Sequence, residues 1–329
     1  MVISDHKRAH ASRHQRHKVG AVTSVTRSEP DRRLMLVHAH PDDETIMDGA
    51  TMAKYVAEGA AVCLVTCTLG EEGEVLVEDL AHLGAEAGDD LGSHRLGELK
   101  VAMEILGVTD FIRLGGDGRY RDSGMAYDAE GRAIPRDMLR EGIFWTADLL
   151  EAANELVPVI RDRRPQVLIA YNEVGNYGHP DHIQAHRVAM YATQLAGVPS
   201  YRRDLGDPWT VARVYWSTMS KSQLLAGIQA LRDAGDTETY KELDPEGPLS
   251  SLLSDDVDIA VEIDGTPWVA QKLAAMRAHA TQITADGPFF AGADVLGHDR
   301  WAREHYRLAS GPPLPAADGW ADDLFAGLS

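Results

Sequence analysis

The chain has 329 residues, enough for one large domain or two modest ones, and its 44% hydrophobic and 25% charged residues are typical of a folded globular protein. Its formal net charge of −19 argues against nucleic acid and anionic membrane surfaces as partners. The sequence contains no uninterrupted apolar run of about 18 residues, so we expect no transmembrane helix.

The first segment of the chain, residues 1–32, is basic and rich in histidine and shows no hydrophobic periodicity. It also lacks the apolar stretch of a signal peptide. We therefore expect a disordered basic tail outside the folded domain.

Strands and helices then alternate as far as about residue 200. Apolar runs predict strands at 33–39, 60–68, 110–116 and 165–172, and amphipathic patterns predict helices at 44–58, 93–106 and 146–163. Near-continuous apolar strands separated by helices are typical of a parallel sheet that is covered on both faces. The sequence thus predicts a Rossmann-like, doubly wound, mostly parallel α/β fold, with residues 33–200 as its catalytic core.

The pattern loosens beyond residue 200 into a smaller α+β portion, residues 201–329, which we expect to pack on the core and complete one domain. Its predicted elements are a strand at 211–219 that extends the sheet, a helix at 220–233, an acidic linker at 235–256, a strand at 258–264, a helix at 268–283, a Pro-rich bend and a short final helix.

The only two cysteines, Cys63 and Cys67, fall in the second predicted strand. Four residues of a strand span about 13 Å, which is too far for a disulfide. Two unpaired cysteines indicate a reducing compartment, and we expect a cytoplasmic location.

The end of the first strand carries a high density of charged side chains. The stretch "VHAHPDDE" places two histidines and three carboxylates within seven residues, at positions 38, 40, 42, 43 and 44. Charged groups beside a buried strand are costly unless something compensates them. No G-x-G-x-x-G follows this strand, and carboxylates there would repel a pyrophosphate, so the pattern argues against a dinucleotide-dependent oxidoreductase.

A second polar cluster, "YNEVGNYGHPDHIQAH", follows the fourth strand at residues 171–186. Proline is well tolerated in the first turn of a helix, so a helix that begins near Pro180 would carry His182 in that turn. In a sheet of strand order 3-2-1-4-5, the first and fourth strands flank the crevice in which ligands bind. We therefore expect the two clusters to face each other.

Two imidazoles and one carboxylate, with a fourth position open, form a catalytic zinc site. His40 and Asp43 can converge from one turn, and His182 would complete the set from across the crevice. Asp42 would lie beside the metal and outside its ligand set, where a carboxylate can act as a general base. The alternative is structural: Asp42 or Asp43 caps a helix, and His182 is an ordinary surface histidine.

"AHPDDE" followed by "GHPDH" resembles the PIG-L/LmbE-like superfamily of zinc-dependent deacetylases that act on N-acetylglucosamine conjugates. "VTCTLGEEGEV", "LGSHRLGEL", "GGDGRYRDSGMA" and "RAHATQI" are similar to the branch of that superfamily that deacetylates N-acetylglucosaminyl-inositol in mycothiol biosynthesis. The resemblance covers residue 33 to the C-terminus and implies a small-molecule amino-sugar inositol conjugate as the substrate.

The resemblance implies a role for each matching residue. Zinc ligands fall on His40, Asp43 and His182, and the general base on Asp42. The other matches are Tyr177 at the developing oxyanion, His179 as a donor to the intermediate or the leaving amine, Asp181 as the group that orients His179, Arg95 and Asp122 at the sugar and inositol hydroxyls, and Met125 in the pocket wall.

Several alternatives stay open from the sequence. Fe²⁺ suits this ligand set nearly as well as Zn²⁺. Within the same chemistry, the chain could be a mycothiol S-conjugate amidase or a deacetylase of another N-acetylglucosamine conjugate. A metal-dependent glycosyltransferase or an inactive sugar-binding module would be a different class, and the second histidine cluster argues against the former because Mg²⁺ and Mn²⁺ prefer oxygen ligands.

Overall fold

The protein is built around a central β-sheet. The computed structural model describes residues 31–241, 243–287, 289–291, 297, 301–315 and 319–328. The predicted disordered tail, residues 1–32, lies outside the described residues except for its last two. Within the described part of the chain, no helix is both long and apolar enough to cross a membrane.

The strands are β1 (Arg33–His38), β2 (Ala61–Thr66), β3 (Asp110–Arg113), β4 (Ala126–Tyr127), β5 (Ala133–Ile134), β6 (Val167–Ala170), β7 (Arg213–Ser220), β8 (Leu253–Ser254), β9 (Val261–Asp264) and β10 (Arg303–Ser310). The main sheet has the order β3-β2-β1-β6-β7-β10-β9, and β8 pairs with β7. The first five strands of this order are parallel, whereas β10 pairs antiparallel with both β7 and β9. The predicted mostly parallel α/β sheet is confirmed.

The helices are α1 (Asp43–Ala57), α2 (Leu91–Leu106), α3 (Leu149–Arg163), α4 (Gly175–Gly178), α5 (Pro180–Ala196), α6 (Lys221–Asp233) and α7 (Val269–Ala278). They cover the sheet on both faces because side chains alternate along each strand. Met35 and Val37 of β1 pack into the core that includes α3 and α5. Leu34 and Leu36 pack into the opposite core, which includes α1, α2 and α7.

Three features of the C-terminal portion differ from the sequence-based expectation. The strand β10 was not predicted, because "REHYRLAS" has no continuous apolar run. The helix expected at 268–283 is shorter, since α7 ends at Ala278. The predicted final helix is wrong: residues 324–327 form turns, and the backbone carbonyls of Leu324 and Ala326 accept hydrogen bonds from the guanidinium of Arg213 on β7.

A side-chain hydrogen bond between two neighbouring antiparallel strands links the stability of this region to pH. His305 Nε2 on β10 lies 3.0 Å from Glu262 Oε2 on β9. The hydrogen bond from His305, opposed by partial burial, lowers the pKa of Glu262 to about 2 from an ordinary value of 4.5. A carboxyl whose pKa is lowered by folding stabilises the protein above its unfolded-state pKa, and this contribution is lost as the pH falls toward the folded-state value.

We therefore expect Glu262→Gln to lower the free energy of unfolding by about 1 kcal/mol at pH 7, a figure reduced for solvent screening because Glu262 is half-buried. The difference in the free energy of unfolding between the variant and the parent protein should become smaller as the pH falls from 4.5 toward about 2. Urea unfolding at pH 7 and near pH 3.5 measures both values. Glu238→Gln, at an exposed ion pair with Lys241, is the control; a gap for Glu262→Gln that does not change with pH would contradict the assignment.

Candidate metal centre and active site

The two polar clusters meet at the switch point of the sheet, where β1 and β6 lie side by side. The chain leaves β1 at His38 and enters α1 at Asp43, and it leaves β6 at Ala170 and enters α5 at Pro180. Pro180 occupies the first turn of α5, as its fixed φ allows. The crevice predicted between the first and fourth strands is therefore where the clusters face each other.

The short helix α4 brings the second cluster close to α5. Gly175 has a φ of +66°, and a Cβ at this position would lie 2.6 Å from the backbone nitrogen of Ile183 and 2.8 Å from the Cβ of His182. Only glycine fits such a conformation and such a close approach. The loop "NEVGNYGHP" thus positions Tyr177 and His179 above the first turn of α5.

The structure brings together the three predicted metal ligands. Asp43 Oδ2 lies 3.3 Å from His40 Nδ1 and 3.3 Å from His182 Nε2. Although burial acts in the opposite direction, the imidazoles of His182 and His40 hold the pKa of Asp43 well below its ordinary value. Asp43 is therefore an ionised carboxylate between two imidazoles, the donor set that suits zinc.

His182 provides the test of whether a metal fits these residues. The side chain is 2% exposed, and within the described ranges neither of its ring nitrogens has a hydrogen-bond partner. Buried polar atoms are almost always satisfied, so an unpartnered imidazole that faces a carboxylate fits a ligand without its cation. His40, His179 and His182 also form a group whose ligand atoms lie within 4.8 Å of one another, as do His40, Asp122 and Asp181.

Asp42 has an unusual backbone conformation, with a φ of +113°. Such values are rare and strained for residues other than glycine, and they cluster at functional sites. The Asp42 N–H donates to Glu44 Oε2 at 2.9 Å, and its carbonyl accepts from Thr45 N at 3.0 Å. Asp42 stands at the N-cap position of α1, but its side chain makes no capping hydrogen bond. The capping alternative is therefore wrong for Asp42, whose carboxylate is directed elsewhere.

The carboxylate of Asp42 pairs with Arg95, whose Nη2 lies 3.1 Å from Asp42 Oδ2. Burial raises the pKa of Asp42 to about 6, against the opposing charge of Arg95. Arg95 is itself 2% exposed, and its Nη1 donates to Gly70 O at 2.8 Å. A carboxyl with a pKa near neutrality is suited to accept and return a proton.

Asp181 and His179 do not make the contact expected from the sequence. The Asp181 carboxylate lies 3.3 Å from His40 Nε2 and accepts hydrogen bonds from Ser123 N, at 2.8 Å, and from Ser123 Oγ. His179 Nδ1 instead accepts from the backbone N–H of Asp181 at 3.1 Å. Burial lowers the pKa of His179 well below its ordinary value, so the ring is neutral and its proton lies on Nε2. The orientation of His179 by the Asp181 carboxylate stays a prediction.

Two further predicted residues, Tyr177 and Asp122, lie beside the predicted metal ligands, and Met125 lies in a neighbouring segment. The Tyr177 ring lies 5.0 Å from that of His182 and 6.2 Å from that of His179, centroid to centroid. Asp122 is 3% exposed and its Oδ1 lies 3.4 Å from His40 Nε2, so it contacts a predicted metal ligand directly. Met125 is half-buried next to the hairpin of β4 and β5.

Sequence reasoning assigned no role to three buried groups of this site. His279 Nε2 lies 2.9 Å from Glu44 Oε1, and that carboxylate also accepts the N–H of Asp42. Tyr171 donates its hydroxyl proton to Asp43 Oδ2 at 2.7 Å. The position of Tyr171 directly after the fourth strand was a signal that could have identified it, whereas His279 lies 235 residues from Glu44 and no spacing rule connects them.

Comparison with known proteins gives a consistent picture. The sequence profile of the PIG-L family, described as GlcNAc-PI de-N-acetylase, matches residues 35–193. The chain is 57% identical over 299 residues to a 1D-myo-inositol 2-acetamido-2-deoxy-alpha-D-glucopyranoside deacetylase from a Nocardioides species. The aligned region covers 91% of this chain and 99% of that protein. The chain is 56% identical over 301 residues to the protein of the same name from Kribbella flavida, again with 91% and 99% coverage.

Solved structures share the fold at much lower identity. The N,N'-diacetylchitobiose deacetylase from Pyrococcus horikoshii matches with a TM-score of 0.55 and 19% identity, over 84% of this chain and 83% of that chain. A 4-carboxy-2-hydroxymuconate hydratase from Pseudomonas putida matches with a TM-score of 0.53 and 16% identity, over 87% and 100%. Because a deacetylase and a hydratase share this fold, the likeness by itself concerns architecture alone.

Proposed function

The chain belongs to the PIG-L family of de-N-acetylases, and on that premise we propose that it hydrolyses the acetamide of 1D-myo-inositol 2-acetamido-2-deoxy-α-D-glucopyranoside, the N-acetylglucosaminyl-inositol of mycothiol biosynthesis. The observation that carries the proposal is the 56–57% identity to deacetylases named for this substrate, over 99% of their length. The relatives bear the name of a deacetylase, which favours this reaction over the amidase and glycosyltransferase alternatives.

We infer that His40, Asp43 and His182 hold a zinc ion, or Fe²⁺ in its place. The convergence of both imidazoles on the Asp43 carboxylate, and the unpartnered His182 ring, support this ligand set. When bound, such a cation lowers the pKa of water and polarises a carbonyl oxygen.

Asp42 is the residue we assign as the general base that takes the proton of the attacking water. Its pKa of about 6 leaves it ionised at pH 7 and able to accept that proton. The ion pair with Arg95 and the strained backbone fix the carboxylate before the substrate arrives. A base held in this way loses little freedom during the reaction.

Tyr177 and His179 are suited to stabilise the charge that develops on the substrate. Burial raises the pKa of Tyr177 well above its ordinary value, so its hydroxyl stays protonated and can donate to an oxyanion. His179 carries its proton on Nε2 and can donate to the intermediate or to the departing amine. Asp42, once protonated, is the second candidate for protonating the amine.

We assign the sugar and inositol hydroxyls to Arg95 and Asp122, and the wall of the pocket to Met125. Arg95 Nε is buried and finds no acceptor among the described residues. Asp122 is held by the N–H of Gly124, at 2.8 Å, and by that of Glu72, at 3.2 Å. Met125 offers apolar contact at the pocket wall.

Tyr177→Phe should lower kcat by about 10²-fold, because it removes one preorganised donor to the oxyanion. KM should change little if the hydroxyl acts mainly in the transition state. Steady-state kinetics of acetate release from the inositol substrate give both numbers. Tyr127→Phe, at a 62% exposed tyrosine on the neighbouring hairpin, is the matched control; equal losses in the two variants would contradict a role specific to Tyr177.

The substrate itself is tested by incubating the zinc-loaded protein with N-acetylglucosaminyl-inositol, free N-acetylglucosamine and a mycothiol S-conjugate, and measuring the free amine released. We expect kcat/KM to be highest for N-acetylglucosaminyl-inositol. A higher value for the S-conjugate would instead identify an amidase, and no amine from any of the three would overturn the proposal.

The partner and location that we propose follow from the same reaction. The partner is a small-molecule amino-sugar inositol conjugate, and the net charge of −19 gives no support to nucleic acid or membrane binding. Cys63 and Cys67 are buried free thiols, as suits the reducing cytoplasm where we place the protein.

A further inference from the structure

Tyr171 is a buried tyrosine that the proposed reaction does not use. It is the first residue after β6, at the switch point of the sheet, and is 2% exposed. A tyrosine hydroxyl is costly to bury without partners, so its hydrogen bonds show what holds it in this position.

The side chain of Tyr171 contacts the segments that carry all three predicted metal ligands. Its hydroxyl donates to Asp43 Oδ2 at 2.7 Å, and its ring stacks on the His182 imidazole with a centroid distance of 4.2 Å and an interplanar angle of 21°. The same hydroxyl accepts the backbone N–H of Ala39 at 2.8 Å, one residue before His40. A single side chain therefore connects β1, α1 and α5 at the metal centre.

These contacts restrict the motion of the ligands. The Oδ2 atom of Asp43 accepts from Tyr171 and from the backbone N–H of His40, the latter at 3.0 Å, so rotation of the carboxylate breaks two hydrogen bonds. The stacked phenol ring limits rotation of the His182 imidazole, which has no hydrogen bond of its own within the described residues. Partners of this kind, one layer beyond the ligands, set ligand orientation and metal affinity.

A chain of buried polar contacts lies behind the hydroxyl of Tyr171. His38 Nδ1 lies 3.3 Å from it, and His38 Nε2 lies 2.9 Å from Asp48 Oδ2. Asp48 in turn accepts from Ser217 Oγ, at 2.9 Å, and from the Tyr306 hydroxyl, at 2.8 Å. The position of the hydroxyl is thus fixed by α1, β7 and β10 together.

We propose that Tyr171 is the positioning residue of the metal centre, which orients Asp43 through its hydroxyl and His182 through its ring. The inference rests on the proposed function, because it requires a divalent cation on His40, Asp43 and His182. It concerns the assembly of the site and assigns Tyr171 no contact with the substrate.

The test compares Tyr171→Phe, which keeps the stacked ring and loses the hydroxyl, with Tyr215→Phe. Tyr215 is also fully buried, and its hydroxyl donates to Leu324 O at 3.0 Å in the core. Zinc affinity is measured by competition with a chromophoric chelator, the Co²⁺-substituted proteins give visible absorption spectra, and thermal unfolding of the metal-free proteins reports the structural cost.

Tyr171→Phe should weaken zinc binding by about 10- to 100-fold and shift the Co²⁺ spectrum. Tyr215→Phe should lower the unfolding temperature and leave both metal readouts unchanged. Suppose that the parent protein binds zinc, and that Tyr171→Phe has a zinc affinity within twofold of the parent and the same Co²⁺ spectrum. The positioning role of Tyr171 would then be wrong, whereas the proposed metal site would be unaffected. If the parent protein binds no zinc, the proposed function fails first.

Discussion

Asp42→Asn is expected to lower kcat for deacetylation by about 10³-fold and to leave zinc bound, because the amide cannot accept a proton from water. Asparagine is nearly the same size as aspartate, so we expect the strained backbone and a contact with Arg95 to be kept. Acetate release at saturating substrate, beside the zinc content of the same preparation, measures the two effects separately.

Glu98→Gln is the matched control for the loss of a buried carboxylate. Glu98 lies on α2 and accepts from Thr281 N at 2.8 Å and from Thr281 Oγ1 at 2.7 Å. We expect the kcat of Glu98→Gln to stay near that of the parent protein. Full activity of Asp42→Asn would remove Asp42 from the role of general base, and loss of zinc from that variant would place it among the ligands.

His182→Ala should abolish stoichiometric zinc binding and lower activity by about 10⁴-fold, because the site loses one of its three ligands and with it the metal's several kcal/mol of transition-state stabilisation. The same change removes a buried imidazole from the stack with Tyr171, so some loss of thermal stability should accompany it. Zinc analysis after dialysis and acetate release provide the two measurements.

The control for this variant is His305→Ala, which removes a buried imidazole from β10, on the far side of β7 from β6. It should keep its zinc. Stoichiometric zinc in His182→Ala would show that the cation is held by another set, such as His40 with Asp122 and Asp181, whose ligand atoms also lie close together.

Much of the parallel half of the sheet could be predicted because β1, β2 and β6 are largely runs of apolar residues. The strand β10 could not be predicted in this way. Its buried Glu304 pairs with Lys272 of α7 at 2.6 Å and accepts the N–H groups of Ala50 and Thr51. A buried charge that is satisfied by distant parts of the chain looks like a surface residue in the sequence.

The proximity of His40, Asp43 and His182 could also be predicted, because a parallel sheet brings the ends of its first and fourth strands together. The contacts of Asp181 could not. Its carboxylate accepts from Ser123, which lies in an irregular loop after the third predicted strand, and the partner of His179 is a backbone N–H that no motif reveals. Resemblance identifies residue types at a site, whereas their hydrogen-bond partners depend on loop geometry.

The place of β10 in the sheet has a consequence for folding. β10 lies between β7 and β9 in the sheet, yet it follows both in the chain. During synthesis from the N-terminus, the edges of β7 and β9 that pair with β10 therefore stay unpaired until residues 303–310 leave the ribosome. The antiparallel half of the sheet must then be completed after the parallel half. The late arrival of a strand that lies between two others leaves this side of the molecule open to mispairing between nascent chains.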